Sequence, residues 1–430
     1  MRSRHRAEHQ LVVGIDARLR SGQPGGVEQF TIGLASGLSR LEDGPEQYLF
    51  LTLPGEDAWL SRHLHGPCKL ASRPRRMRTR QWITGTLPRR AVEFAPWLLR
   101  IRGIVRTVIP SALQRLPTSD GTLESAGAGV LHFPQQSAFL TPVPSIYQPW
   151  DLQHLHLPDF FPSDVHAARE RSYKEYCRQA GLVVVASHWA KSDLMKHYGL
   201  RAEKIAVIPV PPPLAAYEPL SDSKVSDIVG RLGLPDRFLF YPAQTWEHKN
   251  HLRLLEALAI TRTRYRADIL VVCSGRQNDH FREIEKEVNR LGLERQVRFL
   301  GFVSQDEVQA IYRRSHGLIF PSLFEGWGLP VVEAFFVGLP VACARVTSLP
   351  ELVGDAALLF DPREPSGIAD AMWRLWTEDP LRQKLAERGV DRVKGLDWPY
   401  TARIYRAQYR RLARQPMHSD DLELVSESLA

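Results

Sequence analysis

The sequence predicts an α/β fold made of two doubly wound, Rossmann-like parallel-sheet domains facing each other across a cleft. Three observations carry this. Short apolar runs recur without polar alternation, the mark of strands buried on both faces. Segments with helical spacing separate several of them, which implies parallel pairing. The pattern also starts twice, because the Pro/Ser-rich stretch PVPPPLAAYEPLSDSK at 209–224 interrupts it and reads as a linker. A chain of 430 residues is long for one domain and comfortable for two of about 200.

The first strand is LVVGID (11–16), and RLRSGQPGGVEQFTIGLASGLSRL then opens a helix from a Gly/Pro loop. Further apolar runs lie at 47–53, 130–134, 144–149, 182–187 and 204–210, with helical patterns at 164–179 and 188–198. This makes residues 1–210 the first domain. The alternation restarts in a second domain, 211–398, with strands at 237–243, 267–275, 296–301, 316–322, 339–344 and 357–362. Helices fit 250–264, 279–292, 305–315, 330–338, 365–376 and 380–394. A last helix, about 399–413, follows LDWPY. The tail, 415–430, carries Asp420, Asp421, Glu423 and Glu427 with no Lys or Arg beyond Pro416, and reads as disordered.

Composition excludes several classes. The chain is 43% apolar and 24% charged, ordinary for a globular protein. No apolar run approaches about 18 residues, so no transmembrane helix is expected. The opening MRSRHRAEHQLVVGID is broken by Asp16 and reads as a first strand, not a secretory signal. Cys68, Cys177, Cys273 and Cys343 form no C-x-x-C pair, which argues against a zinc site and a disulfide framework and suits a reducing cytoplasm. Of the net +8, the stretch 62–115 carries +12, with thirteen Lys or Arg and one acid, Glu93. Trp82, Phe94, Trp97 and Leu98 lie among those charges. Such a stretch suits an anionic membrane surface, or a solvated helix pair whose arginines cover apolar surface. No RNA-reading strand or recognition helix accompanies it, so nucleic acid is not an expected partner.

The chemistry concentrates in FEGWGLPVVEA, 324–334, where Glu325 and Glu333 stand eight positions apart. The stretch follows the strand HGLIF, and Pro330 suits the first position of a helix. The order strand, Gly-containing loop, helix exposes the free amides of a helix N-terminus, a place for an anion such as a phosphate. Two acids beside an anion site need other partners, and ligand hydroxyls supply them. A ligand carrying both phosphate and sugar follows. Taken by itself, Glu333 would be only a favourable partner of the helix dipole, and Lys249 only a solvated lysine.

FEGWGLPVVEA resembles the E-x7-E signature of the retaining glycosyltransferases of family 4, which have the two-domain GT-B architecture. VRFLGFVSQDEVQAIYRRSHGLIFPS resembles the segment leading into it, and YPAQTWEHKNHLRLLEAL the loop with the diphosphate-binding lysine. GIDARLRSGQPGGVEQF is similar to the N-terminal Gly-Gly loop, and LDWPYTARIYRAQYRRL to the helix, 399–414, that crosses back onto the first domain. Within the family, GIDAR and QHLHLPDFF look most like bacterial mannosyl- or rhamnosyltransferases of surface polysaccharide assembly.

The resemblance implies the roles. Glu333 would grip the ribose hydroxyls of a nucleotide diphosphate sugar, and Glu325 would sit by the transferred sugar. The amides of Gly326, Trp327, Gly328 and Leu329 would hold sugar hydroxyls and the β-phosphate. Lys249 would neutralise the leaving diphosphate, which implies no metal or other cofactor. Gly25 and Gly26 would let backbone approach the phosphates. Backbone around Gly301 and Val303 would read the base, and Asp151 would serve the acceptor side. The acceptor would be a glycan or lipid-linked sugar.

The chain departs from the family pattern in three places. Gln244 stands where an arginine is usual, and Arg276 in SGRQ could supply that charge. Trp150 stands where many relatives have His before the aspartate, and IPVPP replaces an Asn-Gly. A catalytically silent, nucleotide-binding or scaffolding subunit is the alternative reading. An oxidoreductase lacks its G-x-G-x-x-G, and a non-hydrolysing epimerase lacks an acid–base set.

Overall fold

A computed structural model describes residues 10–20, 25–71 and 115–430. Two all-parallel sheets organise it. The first holds β1 (Val12–Asp16), β2 (Gln47–Leu51), β3 (Cys68–Leu70), β4 (Val130–Phe133), β5 (Ser145–Tyr147), β6 (Leu182–Val185) and β7 (Ile205–Val207). Their order is β3-β2-β1-β4-β5-β6-β7. The second holds β8 (Leu239–Pro242), β9 (Val271–Ser274), β10 (Val297–Phe299), β11 (Gly317–Phe320), β12 (Val341–Ala344) and β13 (Ala357–Phe360), in the order β10-β9-β8-β11-β12-β13.

Both orders run outward one way from the first strand of the domain and then jump to its other side. That leaves a switch point between β1 and β4 and another between β8 and β11. Loops leaving the C-terminal ends of strands diverge there and open a crevice. The strand sequences explain the burial. VLHF, LVVV, GLIF and VACA are buried at every position, as helix-covered parallel strands must be. The architecture is GT-B, two α/β domains about a cleft.

Three expectations need correction. The strand β3 lies within the basic stretch 62–115; it is three residues long, with Lys69 exposed, too brief for an apolar run to announce. The rest of that stretch, from 72 to 114, lies outside the described residues. The linker ends before 224, since a helix Asp222–Leu232 begins inside it, capped where the Ser221 hydroxyl accepts from the Lys224 amide at 3.3 Å. The tail is a helix, Ser419–Leu429, not a disordered segment. Its acids have partners elsewhere: buried Arg410 donates to Asp421 at 2.8 Å and to Glu46 at 2.6 Å, and Tyr400 donates to Glu427 at 3.0 Å. Those partners are distant in sequence, so the acidic run itself does not reveal them.

The helix expected near 399–413 runs Trp398–Leu412 and lies across the first-domain helix Gly26–Leu38. Glycine makes the crossing possible. A Cβ on Gly33 would fall 2.0 Å from Trp398 Cζ2, and one on Gly37 would fall 2.4 Å from the Trp398 carbonyl oxygen. Further along, Tyr409 meets first-sheet His132 at 2.8 Å, and Gln148 meets the other nitrogen of that ring at 2.7 Å. Burial without a charged partner lowers the His132 pKa to about 4, so the ring is neutral. The helix is thereby bound to the first domain, while its N-terminal Trp398 donates to the Pro212 carbonyl at the domain junction, 3.2 Å away.

Candidate active site

The crevice between the sheets is a cleft of about 960 Å³, in the size range of small-molecule sites. It draws on strand ends from both domains. Gly25 and Gly26 come from the loop after β1, Asp151 from the loop after β5, Gln244 and Lys249 from the loop after β8, and Arg276 from that after β9. Val303 follows β10. Glu325, Gly326, Trp327, Gly328, Leu329 and Glu333 come from the loop and helix after β11. Of the residues singled out in the sequence, Gly301 is the one that does not line the cleft. Its carbonyl instead accepts from the Gly275 amide at 2.8 Å, which sets the turn that carries Val303 inward.

The loop after β11 is held rigidly. The Thr347 hydroxyl donates to the Glu325 carbonyl at 2.7 Å and accepts from the Glu325 amide at 3.1 Å. Ser348 donates to the same carbonyl at 3.0 Å, and the Trp327 indole donates to the Val210 carbonyl at 3.1 Å. These bonds fix the loop's backbone beside the cleft that its residues line. The helix Leu329–Phe336 starts from this loop with Pro330 in its first turn.

Lys249 ends a short 3₁₀ turn, Glu247–Lys249, after β8. Asn250 turns the chain there with φ of 63°, and its side chain donates to the carbonyls of Pro321 and Pro362 at 2.9 and 2.8 Å. The Leu323 amide donates to the His248 carbonyl at 2.7 Å, so the loops after β8 and β11 are joined. The Lys249 ammonium then meets Glu325 Oε1 at 2.5 Å, with both side chains largely covered. Cation and carboxylate satisfy one another inside the cleft. A diphosphate arriving there can take the lysine and free the acid for hydroxyls.

Glu333 sits one helical turn deeper and is buried. Burial raises its pKa to about 7, and the bond it accepts from the Tyr312 hydroxyl at 2.9 Å works the other way. Tyr312 is a neighbour of Glu333 that the sequence did not mark, because nothing in IYRRS shows its hydroxyl facing a residue 21 positions on.

The first-domain wall presses against the loop. Gly326 is needed because a Cβ would lie 2.9 Å from the Trp150 carbonyl oxygen and 3.3 Å from Asp151 Oδ2. Trp150 has φ of 69°, a left-handed conformation that disfavours side chains. It is held by an edge contact with Phe30 at 5.1 Å and by its indole donating to the Pro134 carbonyl at 3.1 Å. Burial raises the pKa of the adjacent Asp151. Across the cleft, a Cβ on Gly25 would stand 3.2 Å from Gln244 Nε2, and one on Gly26 would stand 3.0 Å from Leu329 Cδ1. Two exposed aromatics, Trp246 and Phe302, complete the lining; Trp246 donates to Gln244 at 3.1 Å. Neither was singled out, since a lone aromatic in a loop carries no spacing signal.

Residues 228–392 match the family described as glycosyl transferases group 1. The group 1 match contains Gln244, Lys249, Arg276, Glu325 and Glu333 but not Gly25, Gly26 or Asp151. Among curated proteins, the O-antigen chain mannosyltransferase B of Escherichia coli is 29% identical over 256 residues, covering 58% of this chain and 65% of that protein. The D-inositol 3-phosphate glycosyltransferase of Corynebacterium glutamicum (strain R) is 28% identical over 246 residues, covering 55% and 58%. The chain thus spans under two thirds of the length of these relatives. Among solved structures, Anabaena Alr3699/HepE in complex with UDP and glucose superposes with a TM-score of 0.66 at 20% identity, over 93% of this chain and 100% of that one. A glycosyltransferase from Rickettsia africae ESF-5 gives 0.66 at 15% identity, over 95% and 100%. At such identities these structures speak for the fold.

Proposed function

We propose that the chain is a retaining, metal-independent hexosyltransferase of the family 4 kind. It moves a sugar from a nucleotide diphosphate sugar to a hydroxyl of a glycan or lipid-linked acceptor, in cell-surface polysaccharide synthesis. The observation that carries this reading is the Lys249–Glu325 pair at 2.5 Å beside the amides of a helix N-terminus and above buried Glu333. One cation for a diphosphate and two acids for hydroxyls lie along one wall of the cleft.

In this reading the diphosphate takes Lys249 and the loop amides, and Glu333 accepts from the ribose hydroxyls. Glu325, released from the lysine, holds the transferred sugar. The bond from C1 to the β-phosphate oxygen breaks while the acceptor oxygen bonds C1 on the same face. The acceptor proton passes to the leaving phosphate, whose charge Lys249 offsets as it grows. Asp151, from the opposite wall, orients the acceptor hydroxyl. The mannosyltransferase relative supports mannose or a similar hexose as the sugar. Work on a lipid-linked acceptor would place the chain at the inner face of the cytoplasmic membrane, docked through the basic stretch 62–115.

The test is turnover of UDP-, GDP-, ADP- and dTDP-sugars with lipid-linked acceptors, with the anomer of the product read by NMR. An α-linked donor is expected to give an α-linked product. A β-linked product would overturn retention. Nucleotide binding without turnover of any donor would leave the silent-subunit reading.

A further inference from the structure

Outside the cleft, three side chains converge that the proposed reaction does not use. His156 ends the short helix Gln153–His156, which follows directly from Asp151. Asp193 and His197 lie four residues apart on the helix His188–Tyr198, hence on one face of it. His156 Nε2 is 2.9 Å from both Asp193 carboxylate oxygens, and His197 Nε2 is 3.4 Å from Oδ1. All three ligating atoms lie within 4.8 Å of one another.

A His–Asp hydrogen bond accounts for one imidazole. It does not account for the second, which turns its Nε2 toward the same carboxylate at a distance too long for a good bond. Four-coordinate zinc with bonds of about 2.0–2.1 Å sets its ligand atoms roughly 3.3 Å apart. The observed separations bracket that spacing. Nitrogen and carboxylate donors suit zinc and cobalt, and both imidazoles are partly exposed, so an ion and a water can reach the place.

We propose that His156 Nε2, His197 Nε2 and the Asp193 carboxylate bind one divalent ion of the zinc class, with a water in the fourth position. The site lies in the first domain, against the wall of the cleft. The His156 ring rests 5.2 Å from that of Phe324, the residue before Glu325, and 5.4 Å from Trp189. An ion there would fasten the Asp151 loop to the helix His188–Tyr198. The N-terminal amides of that helix, His188 and Trp189, in turn donate to second-domain Glu351 at 2.8 and 3.0 Å. The ion would act as a brace for the acceptor wall, with no part in bond making. Cysteine spacing gave no hint of it, because its ligands are histidines and an aspartate from two separate helices.

The full-length, tag-free chain, stripped with a chelator, is titrated with Co2+ and then Zn2+. The expected result is one ion per chain, visible bands of four-coordinate cobalt, and a rise in Tm with zinc. Asp193→Asn and His197→Ala should each lose the bands and the rise while keeping the stripped wild-type Tm. X-ray absorption on the zinc-loaded wild-type chain should show two imidazoles with oxygen and no sulfur, which reads the site even if a variant folds poorly. No stoichiometric uptake by the wild type, equal uptake by folded variants, or sulfur among the ligands would overturn the proposal. Each readout is free of sugar transfer, so its failure leaves the proposed function standing.

Discussion

The two walls of the cleft are organised differently. The second-domain wall is held mainly by its own loops: Thr347, Ser348, Asn250 and the Leu323–His248 bond fix the loops of Glu325 and Lys249, to which the first domain adds the bonds Trp327–Val210 and Ser187–Gly326. The first-domain wall relies on contacts from outside its own loops. Trp150 keeps a left-handed backbone because Phe30 and Pro134 grip the indole. The helix carrying Phe30 is covered in turn by Trp398, from beyond the second domain. One wall is a preorganised charge site. The other is a surface whose shape depends on how the chain returns.

Breaking the charge site should have the largest effect. Lys249→Ala unpairs Glu325 and removes the cation proposed to offset charge on a leaving diphosphate. Steady-state kinetics should show kcat lower by about 10² or more. A loss under roughly threefold would mean that another group holds the phosphate.

The returning helix comes next. In Gly33→Ala the new methyl meets the Trp398 ring at a separation that no packing tolerates, so helix or ring must move. Denaturant unfolding should show a cost of about 1–3 kcal/mol. Donor-nucleotide affinity should change far less than acceptor KM if the comparison of the walls is right.

Glu333→Gln sharpens the comparison through pH. The folded-state pKa is raised to about 7 from 4.5, so the native protein holds the proton more tightly than the unfolded chain does. Ionising Glu333 therefore costs stability, beginning as pH rises past the unfolded value and reaching its full size above about 7. The amide has no such cost. Ligand-free Glu333→Gln should be more stable than wild type at pH 8, by on the order of 1–3 kcal/mol, with the gap closing by pH 4. It should also bind nucleoside diphosphate more weakly, as a neutral amide accepts less strongly from ribose hydroxyls. Equal stability at pH 8 would contradict a costly, preorganised acid.

The smallest effect belongs to the link between walls. Glu351→Ala deletes the acceptor for two amides at the start of the helix His188–Tyr198, worth about 1 kcal/mol as helix caps go. The loss should appear in thermal unfolding, with kcat little changed.

Much of this was legible in the residues. Twelve strands were marked by short apolar runs, because parallel strands covered on both faces need apolar side chains at nearly every position. Glu325 and Glu333 stood out because a loop between strand and helix concentrates its residues within a few positions, whereas Lys249 was marked only by the resemblance of its loop; the structure puts all three on the cleft. Tyr312, Thr347 and Trp246 were missed because a hydroxyl or an indole gains its role only from what it faces. The acidic tail was misread for the same reason: Arg410 and Tyr400, which donate to Asp421 and Glu427, lie on another helix.

By itself, then, the sequence determined the sheet strands, the two-domain plan and the local motif around Glu325, all of which arise from patterns within a few turns of chain. The tertiary structure decided which groups meet. Lys249 reaches Glu325 across 76 positions, Gly326 packs beneath Trp150, and His156 finds Asp193 and His197. Such pairings depend on how parallel sheets bring together loops from different strands, within a domain or between the two, and parallel crossovers separate neighbouring strand ends by tens of residues. No local spacing encodes that distance.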